Sequence, residues 1–253
     1  MAATRPYVVV FSTTTVDGRI ASSTGFSMLS CRYDKARLLL LRGLVDAVMV
    51  GASTVLIDDS TLRKRLAPRR SRYLRVVVDG RLRLHPGLRL FREPGPPVIV
   101  LTGSEDSRKR RLLEEAGAEV VVAGSGGRVD LAKALRLLLE DYGVRRLLVE
   151  GGGVTTYGLL RGGLVDELRV TVTPYVFGAG RSVVDDPGGV GFLTAPEGPG
   201  LEPICVEMCP CGRCVHMAYR VLAAAGVAAD TPPPVCLSRE ARRAVDEGWE
   251  PVR

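Results

Sequence analysis

Four polar segments of this 253-residue chain could do chemistry, because each lies at the end of a short run of apolar, β-branched residues. Such continuous apolar runs are typical of strands that are buried on both faces of a parallel sheet. The segments are residues 12–21, 50–59, 76–81 and 147–156. In open α/β sheets the carboxyl ends of parallel strands meet at one edge, where ligands bind. The pattern therefore predicts a ligand site at that edge.

The fourth segment contains three consecutive glycines, Gly151 to Gly153, which follow Glu150 and precede a predicted helix that begins near Val154. Glycines at a strand-to-helix turn let the backbone approach a diphosphate, with amide groups and the helix dipole directed at it. Glu150 would then face the same cavity. The alternative is a tight turn beside an incidental glutamate. Neither the dinucleotide-binding fingerprint nor the Walker-type phosphate loop occurs in the sequence.

In the second segment, Ser53 and Thr54 open a short predicted helix directly after a strand, and Asp58 and Asp59 close it. The basic tripeptide Arg-Lys-Arg follows at residues 63–65. A solvated surface cluster is one interpretation of these charges. Beside a phosphate-binding turn, the same residues would hold a sugar phosphate through arginine and a ribose or amide through aspartate.

The rest of the chain supplies the elements that must position these segments. Apolar runs predict strands near residues 8–11, 47–50, 75–78, 98–101, 120–122 and 147–149. Charges that alternate with leucine at helical spacing predict helices at 34–42 and 106–117, and a capping Asp130 with Gly143 as the stop predicts one at 130–142. Later patterns predict a strand at 165–175, a hairpin of 201–208 with 215–222, and a short helix at 238–247.

These elements predict an α/β fold of three layers, α/β/α, with a mostly parallel central sheet that ends in a C-terminal antiparallel hairpin. We assign residues 1–222 to one domain and residues 223–253 to a C-terminal extension. Hydrophobic residues are 46% and charged residues 25% of the chain, so wholesale disorder and fibrous repeats are excluded.

The net charge of +7 indicates an anionic partner, either a phosphorylated small molecule or a nucleic acid. No apolar run reaches the roughly 18 residues of a membrane span, and the N-terminal apolar run is too short for a secretory signal. We therefore expect a cytoplasmic protein without a membrane partner.

Four motifs follow one another along the chain. They are Thr-Val-Asp-Gly-Arg-Ile-Ala at 15–21, Val-Gly-Ala-Ser-Thr-Val-Leu-Ile-Asp-Asp at 50–59, Leu-Val-Glu-Gly-Gly-Gly at 148–153 and Gly-Leu-Val-Asp-Glu-Leu at 163–168. Together they resemble the pyrimidine reductases of riboflavin biosynthesis, over about residues 7 to 222. The resemblance implies a dihydrofolate-reductase-like fold, a homodimer and an NADPH-dependent oxidoreductase. It also implies reduction of the ribosylamino group of 2,5-diamino-6-ribosylamino-4(3H)-pyrimidinone 5′-phosphate to the ribitylamino form.

Matched residue by residue, the resemblance implies a cofactor site and a substrate site. The cofactor residues are Thr54, Asp58, Gly80, Arg81, Gly151, Gly152, Gly153 and Val154. The substrate residues are Ser27, Arg42, Arg65 and Glu150, of which the arginines suit a phosphate. Glu150 and Asp58 are the candidates to assist opening of the ribose ring, and no metal is predicted in the site. Gly80 stands where many relatives have serine.

Three other functions remain open. Within the enzyme class, the substrate could be the deaminated pyrimidine, 5-amino-6-(5-phosphoribosylamino)uracil, or dihydrofolate. In another class, the basic run from residue 63 to residue 75 could form an Arg-rich nucleic-acid-binding module. Aromatic residues are only 5% of the chain, which disfavours stacking on bases, so a phosphorylated small molecule is the preferred partner.

Cysteines concentrate at Cys205, Cys209, Cys211 and Cys214, close to His216. The group contains Pro-Cys-x-x-Cys, but its spacing leaves no room for the helix and strand that present the two ligand sets of a zinc deaminase. Three states remain open for this group: a structural zinc at the hairpin tip, a disulfide between Cys209 and Cys214, or free thiols.

Overall fold

A β-sheet with helices on both faces organises the part of the chain that the computed structural model describes, residues 3–63, 66, 73–222, 224 and 236–249. The strands are β1 (Tyr7–Thr14), β2 (Arg19–Ala21), β3 (Ala47–Gly51), β4 (Leu74–Val78), β5 (Val98–Thr102), β6 (Ala118–Val122), β7 (Gly124–Ser125), β8 (Arg128–Val129), β9 (Arg146–Glu150), β10 (Glu167–Val172), β11 (Arg181–Ser182), β12 (Leu201–Met208) and β13 (Val215–Val221). The helices are α1 (Arg32–Leu44), α2 (Ala52–Asp58), α3 (Arg89–Arg92), α4 (Ser107–Glu115), α5 (Leu131–Glu140), α6 (Gly153–Arg161) and α7 (Ser238–Asp246).

Within the described ranges, the main sheet has nine strands in the order β12-β13-β10-β1-β9-β3-β4-β5-β6. Neighbours from β10 to β6 are parallel, whereas β13 is antiparallel to both β10 and β12. The predicted fold class is confirmed, including the C-terminal antiparallel hairpin. None of the described helices combines the length and the apolarity needed to cross a membrane.

Strand β1 shows why the sheet is covered on both faces. Val8 and Val10 pack into one apolar cluster, together with side chains of α5 and α6. Val9 and Phe11 pack into another, together with side chains of α1 and α2. Alternate residues of a strand point to opposite faces, so a run that is apolar at every position needs a layer of helices on each side.

The predicted helices are present with shifted ends. Those predicted at 34–42, 106–117 and 130–142 occupy Arg32–Leu44, Ser107–Glu115 and Leu131–Glu140. The Asp130 cap is confirmed, since its side chain accepts a hydrogen bond from the backbone N–H of Lys133. Asp106 caps α4 in the same way, whereas the N-cap of α1 is Cys31. The strand predicted at 165–175 ends at Val172, because Pro174 has no N–H to continue the ladder.

Strand β10 buries its polar face more deeply than its apolar face. Glu167, Arg169 and Thr171 are almost fully buried, and the carboxylate of Glu167 forms an ion pair with Arg169. Thr171 Oγ lies 2.9 Å from His216 Nδ1. Burial, aided by the charge of Arg37, lowers the pKa of His216 to about 3, so its imidazole is neutral. This part of the core is therefore held by polar contacts.

Asp166, in the Gly-Leu-Val-Asp-Glu-Leu motif, joins strands β1 and β10, which are neighbours in the sheet. Its carboxylate accepts two hydrogen bonds from Arg5, at 2.6 and 2.8 Å, and one from the backbone N–H of Val8 at 2.8 Å. Both ionic side chains are largely buried. The motif therefore fixes β1 against β10 by paired charges that satisfy each other's hydrogen bonds.

The described part of the 223–253 extension packs against α1 through helix α7. A disulfide joins Cys205 on β12 to Cys236 just before α7, with a Cα–Cα distance of 6.2 Å. Arg37 of α1 also donates a hydrogen bond to the carbonyl oxygen of Cys236 at 3.1 Å. The alternative of a Cys209–Cys214 disulfide is wrong, because both of those thiols are free.

Substitution Cys236→Ser tests the disulfide. The bond closes a loop with a sequence separation of 31 residues, and its loss is expected to lower the free energy of unfolding by about 3–4 kcal/mol in the chain-entropy model. Denaturant unfolding measures this difference. The Cys205→Ser variant and the doubly substituted chain should match Cys236→Ser, since one bond is lost in each. A double variant that loses twice as much stability would contradict the pairing.

Candidate active site

A cavity of about 600 Å³ opens at the carboxyl edge of the sheet, between β1, α1, the β3–α2 turn and the end of β9. Its volume lies in the range of pockets that bind small molecules and cofactors. Among the lining residues are Ser12, Thr13, Ser27, Lys35, Thr54 and Gly152. The first, second and fourth segments therefore converge there, as their positions predict.

The first two glycines of the predicted turn face the cavity. Gly151 and Gly152 have φ values of 65° and 87°, in the left-handed region that favours glycine. A Cβ on Gly151 would meet nothing within 4 Å, whereas one on Gly152 would lie 3.7 Å from both Gly51 N and Thr54 Oγ1. The β9–α6 turn and the β3–α2 turn therefore face each other and form a cradle of exposed backbone.

The other two predicted cofactor residues of this turn, Gly153 and Val154, do not line the cavity. A Cβ on Gly153 would lie 2.3 Å from the carbonyl oxygen of Ser182, so this glycine is required by close packing against the segment after β11. The side chain of Val154 is exposed. The four predicted cofactor residues of this turn therefore divide into two that face the cavity and two that do not.

Gly80 and Arg81 also lie outside the cavity lining, beyond the end of β4. A Cβ on Gly80 would lie 2.3 Å from the carbonyl oxygen of Gly127 in the turn between β7 and β8, and Arg81 packs across the same Gly127. A serine at position 80 would displace this turn, which explains the glycine. Because Val78 pairs with Gly51, this corner is next to the cavity along the sheet edge.

Arg42 and Glu150 form a two-pronged ion pair in the cavity wall. Arg42 Nε donates to Glu150 Oε1 and Nη2 donates to Oε2, each at 2.5 Å. Burial alone lowers the pKa of Arg42, but the charge and hydrogen bonds of Glu150 more than offset this and raise the pKa. The structure thus brings two predicted substrate residues together and gives each a protein partner.

Asp58 is a cavity carboxyl with a different environment. Burial raises the pKa of Asp58, and the positive charge of Arg181 opposes this shift only in part. A carboxyl whose pKa is raised by burial holds a proton at higher pH than an exposed one. Asp58 is therefore better suited than the ion-paired Glu150 to deliver a proton to a bound ligand.

Three basic side chains that the motifs did not identify line the cavity: Lys35, Arg89 and Arg181. Arg89 Nε is bonded to Glu93 at 2.6 Å. Lys35 has no acidic partner within the described residues. In the predicted basic cluster, Arg63 pairs with Glu93 at 2.7 Å. Arg65, a predicted substrate residue, lies outside the described residues.

Polar groups at the end of β1 form the floor of the cavity. Thr13 Oγ1 donates to Asp34 at 2.6 Å and lies 3.0 Å from Ser30 Oγ. Ser12 Oγ is buried and has no hydrogen-bond partner within the described residues. An unpartnered buried hydroxyl in a cavity wall is a position where a ligand atom can complete a hydrogen bond.

Asp17 of the Thr-Val-Asp-Gly motif has a structural role. It accepts hydrogen bonds from Thr15 and from the backbone N–H groups of Phe177 and Gly178. The Thr15 hydroxyl and these amides lower the pKa of Asp17 to about 2. The motif therefore fixes the β1–β2 turn against the loop after β10, beside the cavity.

The cavity residues missed by sequence reasoning come from outside the four segments. Lys35 lies on α1, and Arg181 lies on the short strand β11. Trp249, which follows α7, also lines the cavity. Of these three residues, only Trp249 stands out in the composition, because it is the single tryptophan of the chain.

Comparisons with known proteins agree with this geometry. The RibD C-terminal domain model matches residues 6–213. A 2,5-diamino-6-ribosylamino-4(3H)-pyrimidinone 5′-phosphate reductase of Methanothermobacter thermautotrophicus is 43% identical over 190 residues, 73% of this chain and 86% of that protein. A protein of the same name from Archaeoglobus fulgidus is 36% identical over 199 residues, 75% of this chain and 89% of that protein. The structure of Acinetobacter baumannii RibD shares the fold, with a TM-score of 0.71 at 22% identity, over 86% of this chain and 58% of that one.

Breaking the Arg42–Glu150 pair should be costly. In Glu150→Gln the guanidinium of Arg42 stays buried without its counter-charge, and loss of one partner of a buried pair costs about 3–5 kcal/mol of unfolding free energy. The double substitution Arg42→Met with Glu150→Leu removes both charges and is expected to recover most of that loss. Urea unfolding of the ligand-free chain measures both.

Glu202→Gln is the matched control, because Glu202 pairs with Arg220 at the surface, where both side chains are more than half exposed. Such exposed pairs contribute about 0–1 kcal/mol. If the double variant at positions 42 and 150 lost as much unfolding free energy as the two single variants together, the two charges would not be coupled.

Proposed function

The chain belongs to the RibD C-terminal domain family, and we propose that it is an NADPH-dependent reductase of 2,5-diamino-6-ribosylamino-4(3H)-pyrimidinone 5′-phosphate in riboflavin biosynthesis. The observation that carries the proposal is the composition of one cavity. An open glycine turn, a carboxyl with a raised pKa and a lysine line the same space. The two archaeal relatives that bear this name support the choice of substrate.

The residues of the β3–α2 and β9–α6 turns fit a dinucleotide. When bound, NADPH supplies a hydride from its nicotinamide ring. Gly151 and Gly152 would hold the diphosphate, because their left-handed backbone presents amide groups with no side chain in the way. Thr54 Oγ1 would add a hydroxyl donor from the facing turn, and the unpartnered Ser12 Oγ would bond to a ligand atom at the floor.

We assign the phosphate on the adenosine ribose of NADPH to Arg81. This side chain is exposed at the end of β4, one strand along the sheet edge from the cradle. A guanidinium pairs well with a phosphate and offers nothing equivalent to an unphosphorylated ribose. Gly80 would then allow close packing beneath the cofactor. Gly153 and Val154 would position the glycine turn without contacting the cofactor.

Asp58 would handle the proton of the reaction. Opening of the substrate's ribose ring transfers a proton to the ring oxygen and leaves a C=N bond at C1′, and reduction then adds a hydride to C1′ and a proton to the nitrogen. The raised pKa of Asp58 keeps its carboxyl protonated at higher pH than usual. Glu150, held by Arg42, would fix the wall against which the pyrimidine lies.

The substrate's own phosphate would bind at Lys35 and Arg181. Both line the cavity, and Lys35 lacks an acidic partner in the described part of the chain. Arg42 was the residue that the motifs suggested for this role, but its two hydrogen bonds to Glu150 occupy the face of the guanidinium that would grip a phosphate. Ser27, at the cavity rim, would contact the sugar.

We further propose that the enzyme is a cytoplasmic homodimer. Both reactants are intracellular metabolites, which supports the compartment. Strand β12 lies at one edge of the described sheet and exposes Val206 and Met208, an apolar edge that a second copy would cover. Light scattering that gives a monomer at micromolar concentration would contradict the dimer.

The function is tested by following NADPH oxidation with three substrates: the diamino pyrimidine phosphate, the deaminated pyrimidine phosphate and dihydrofolate. We expect the highest kcat/KM with the diamino compound, and a lower kcat/KM when NADH replaces NADPH. A higher kcat/KM with the deaminated compound would instead identify that compound as the substrate. Binding of RNA without any NADPH oxidation would overturn the proposal.

Substitution Asp58→Asn should lower kcat by roughly 10²–10⁴-fold, the usual contribution of a positioned acid. In the unaltered enzyme, kcat should fall as the pH rises through the raised pKa of Asp58, because the acid then loses its proton. The variant should lack this dependence, and its KM for NADPH should change little. A pH–rate profile measures both effects.

Asp141→Asn is the control, since Asp141 lies at the exposed end of α5, outside the cavity lining. If Asp58→Asn retained full kcat with an unchanged pH profile, the proton would have to come from another group.

Substitution Lys35→Met should raise KM for the phosphorylated pyrimidine. A hydrogen bond to a charged group contributes about 1.5–3 kcal/mol, so kcat/KM is expected to fall roughly 10- to 100-fold. The same pyrimidine nucleoside without its phosphate is the matched control substrate, and its kcat/KM should be equal for both proteins. An equal loss with both substrates would place Lys35 away from the phosphate.

A further inference from the structure

Three cysteine thiols that are distant in sequence meet at the N-terminus of α1. The sulfur atoms of Cys31, Cys209 and Cys211 all lie within 4.8 Å of one another. The Cys31 and Cys209 sulfurs are 3.5 Å apart, across a sequence separation of 178 residues. Cys214 completes the group, since its thiol contacts that of Cys211 and its side chain is buried in the same cluster. None of the four is in a disulfide.

We propose that Cys31, Cys209, Cys211 and Cys214 bind a structural zinc ion. Zinc bound by four thiolates is tetrahedral with Zn–S distances of about 2.3 Å, which requires sulfur–sulfur distances of about 3.8 Å. The sulfurs of Cys31 and Cys209 are 3.5 Å apart, close to this spacing, and that of Cys211 lies within 4.8 Å of both, so the Cys214 thiol would have to complete the site by a small adjustment. Thiolate ligands select zinc over the hard cations magnesium and calcium, and four protein ligands leave no open position for catalysis.

The local backbone supports this ligand set. Cys209 and Cys214 bracket the hairpin turn between β12 and β13, where the N–H of Cys209 donates to the carbonyl oxygen of Cys214 at 2.8 Å. Gly212 has a φ of 73°, which closes the turn between them. Three thiols of one tight turn therefore converge, and the sheet register of Met208 with Val215 holds the turn in place.

Cys31 supplies the fourth ligand from the opposite side. It is the N-cap of α1, and its sulfur accepts a hydrogen bond from the backbone N–H of Asp34 at 3.5 Å. Bonds of this kind orient metal ligands and offset thiolate charge.

The other candidate ligands of the sequence pattern are not part of this group. Cys205 is bonded to Cys236. His216 is fixed by the contact of its Nδ1 with Thr171 on β10. The ligand set thus differs from the one that the hairpin alone suggested, because α1 contributes Cys31 in place of Cys205 and His216.

The site ties the hairpin to the helix that forms one cavity wall. Lys35 and Arg42 belong to α1, and Ser27 and Ser30 lie in the segment just before Cys31. A metal at Cys31 would fix the start of the helix and the end of that segment together. The zinc is therefore structural, and its binding can be measured independently of any reductase activity.

The test begins with the unaltered full-length chain, expressed with zinc present and dialysed without chelator. We expect about one zinc per chain by atomic spectroscopy, and replacement by Co²⁺ should give the visible absorption of a tetrahedral tetrathiolate site. Removal of zinc with a strong chelator should make the four thiols reactive and lower the melting temperature. A metal-free protein with reduced thiols that gives no cobalt thiolate spectrum would overturn the proposal. A Cys31–Cys209 disulfide found by peptide mapping would also overturn it.

Variants then assign the ligands. Cys211→Ser is chosen because Cys211 is only half-buried, and it should bind zinc at least roughly tenfold more weakly. Cys236→Ser is the matched control, since it removes a cysteine outside the cluster and should retain the full zinc content. Equal zinc content in the two variants would contradict the assignment. If Cys211→Ser does not fold, the zinc content and cobalt spectrum of the unaltered chain decide the question.

Discussion

The ion pair between Arg42 and Glu150 is the contact on which the arrangement of the cavity depends. Glu150 is the last residue of β9, and Arg42 lies near the end of α1, so the pair connects the sheet to a helix that covers one of its faces. Each partner offsets part of the cost of burying the other, and removal of one partner of a buried pair is strongly destabilising. The pair therefore fixes the width of the cavity between α1 and the glycine turn that begins one residue later.

The glycine turn after Glu150 illustrates how local backbone chemistry and tertiary packing divide one motif. Gly151 and Gly152 are needed for their left-handed conformations and for the open space beside them. Gly153 is needed for a different reason, because the backbone of residue 182 occupies the place of its side chain. In this one motif, Gly151 and Gly152 leave space for a ligand, whereas Gly153 allows close packing within the fold.

The sequence predicted the fold class, the sheet edge and part of the cavity lining, because these depend on apolar periodicity and on motifs at strand ends. The sequence did not predict which protein residues pair with the cavity residues. Arg42 and Glu150 are 108 positions apart, and both carry charges that pattern analysis assigns to a ligand. The same holds for Cys31, which has no cysteine near it in sequence. Pairings of this kind depend on how helices dock on a sheet, which no local pattern encodes.

Strand β10 shows a further limit of sequence prediction. The strand itself was predicted, but its polar residues proved to be more buried than its apolar ones. Burial of Glu167 and Arg169 is possible because they form an ion pair with each other, and burial of Thr171 because its hydroxyl contacts Asp34, Arg37 and His216. Helix α1 thus contributes Asp34 and Arg37 to this polar layer, Cys31 to the thiol cluster, and Lys35 and Arg42 to the cavity. Residues three or four positions apart share a helix face, so a small rotation of α1 would disturb all three sites together. The contacts that hold α1, from the hairpin, from α7 and from Glu150, are therefore what keep the cavity in one shape.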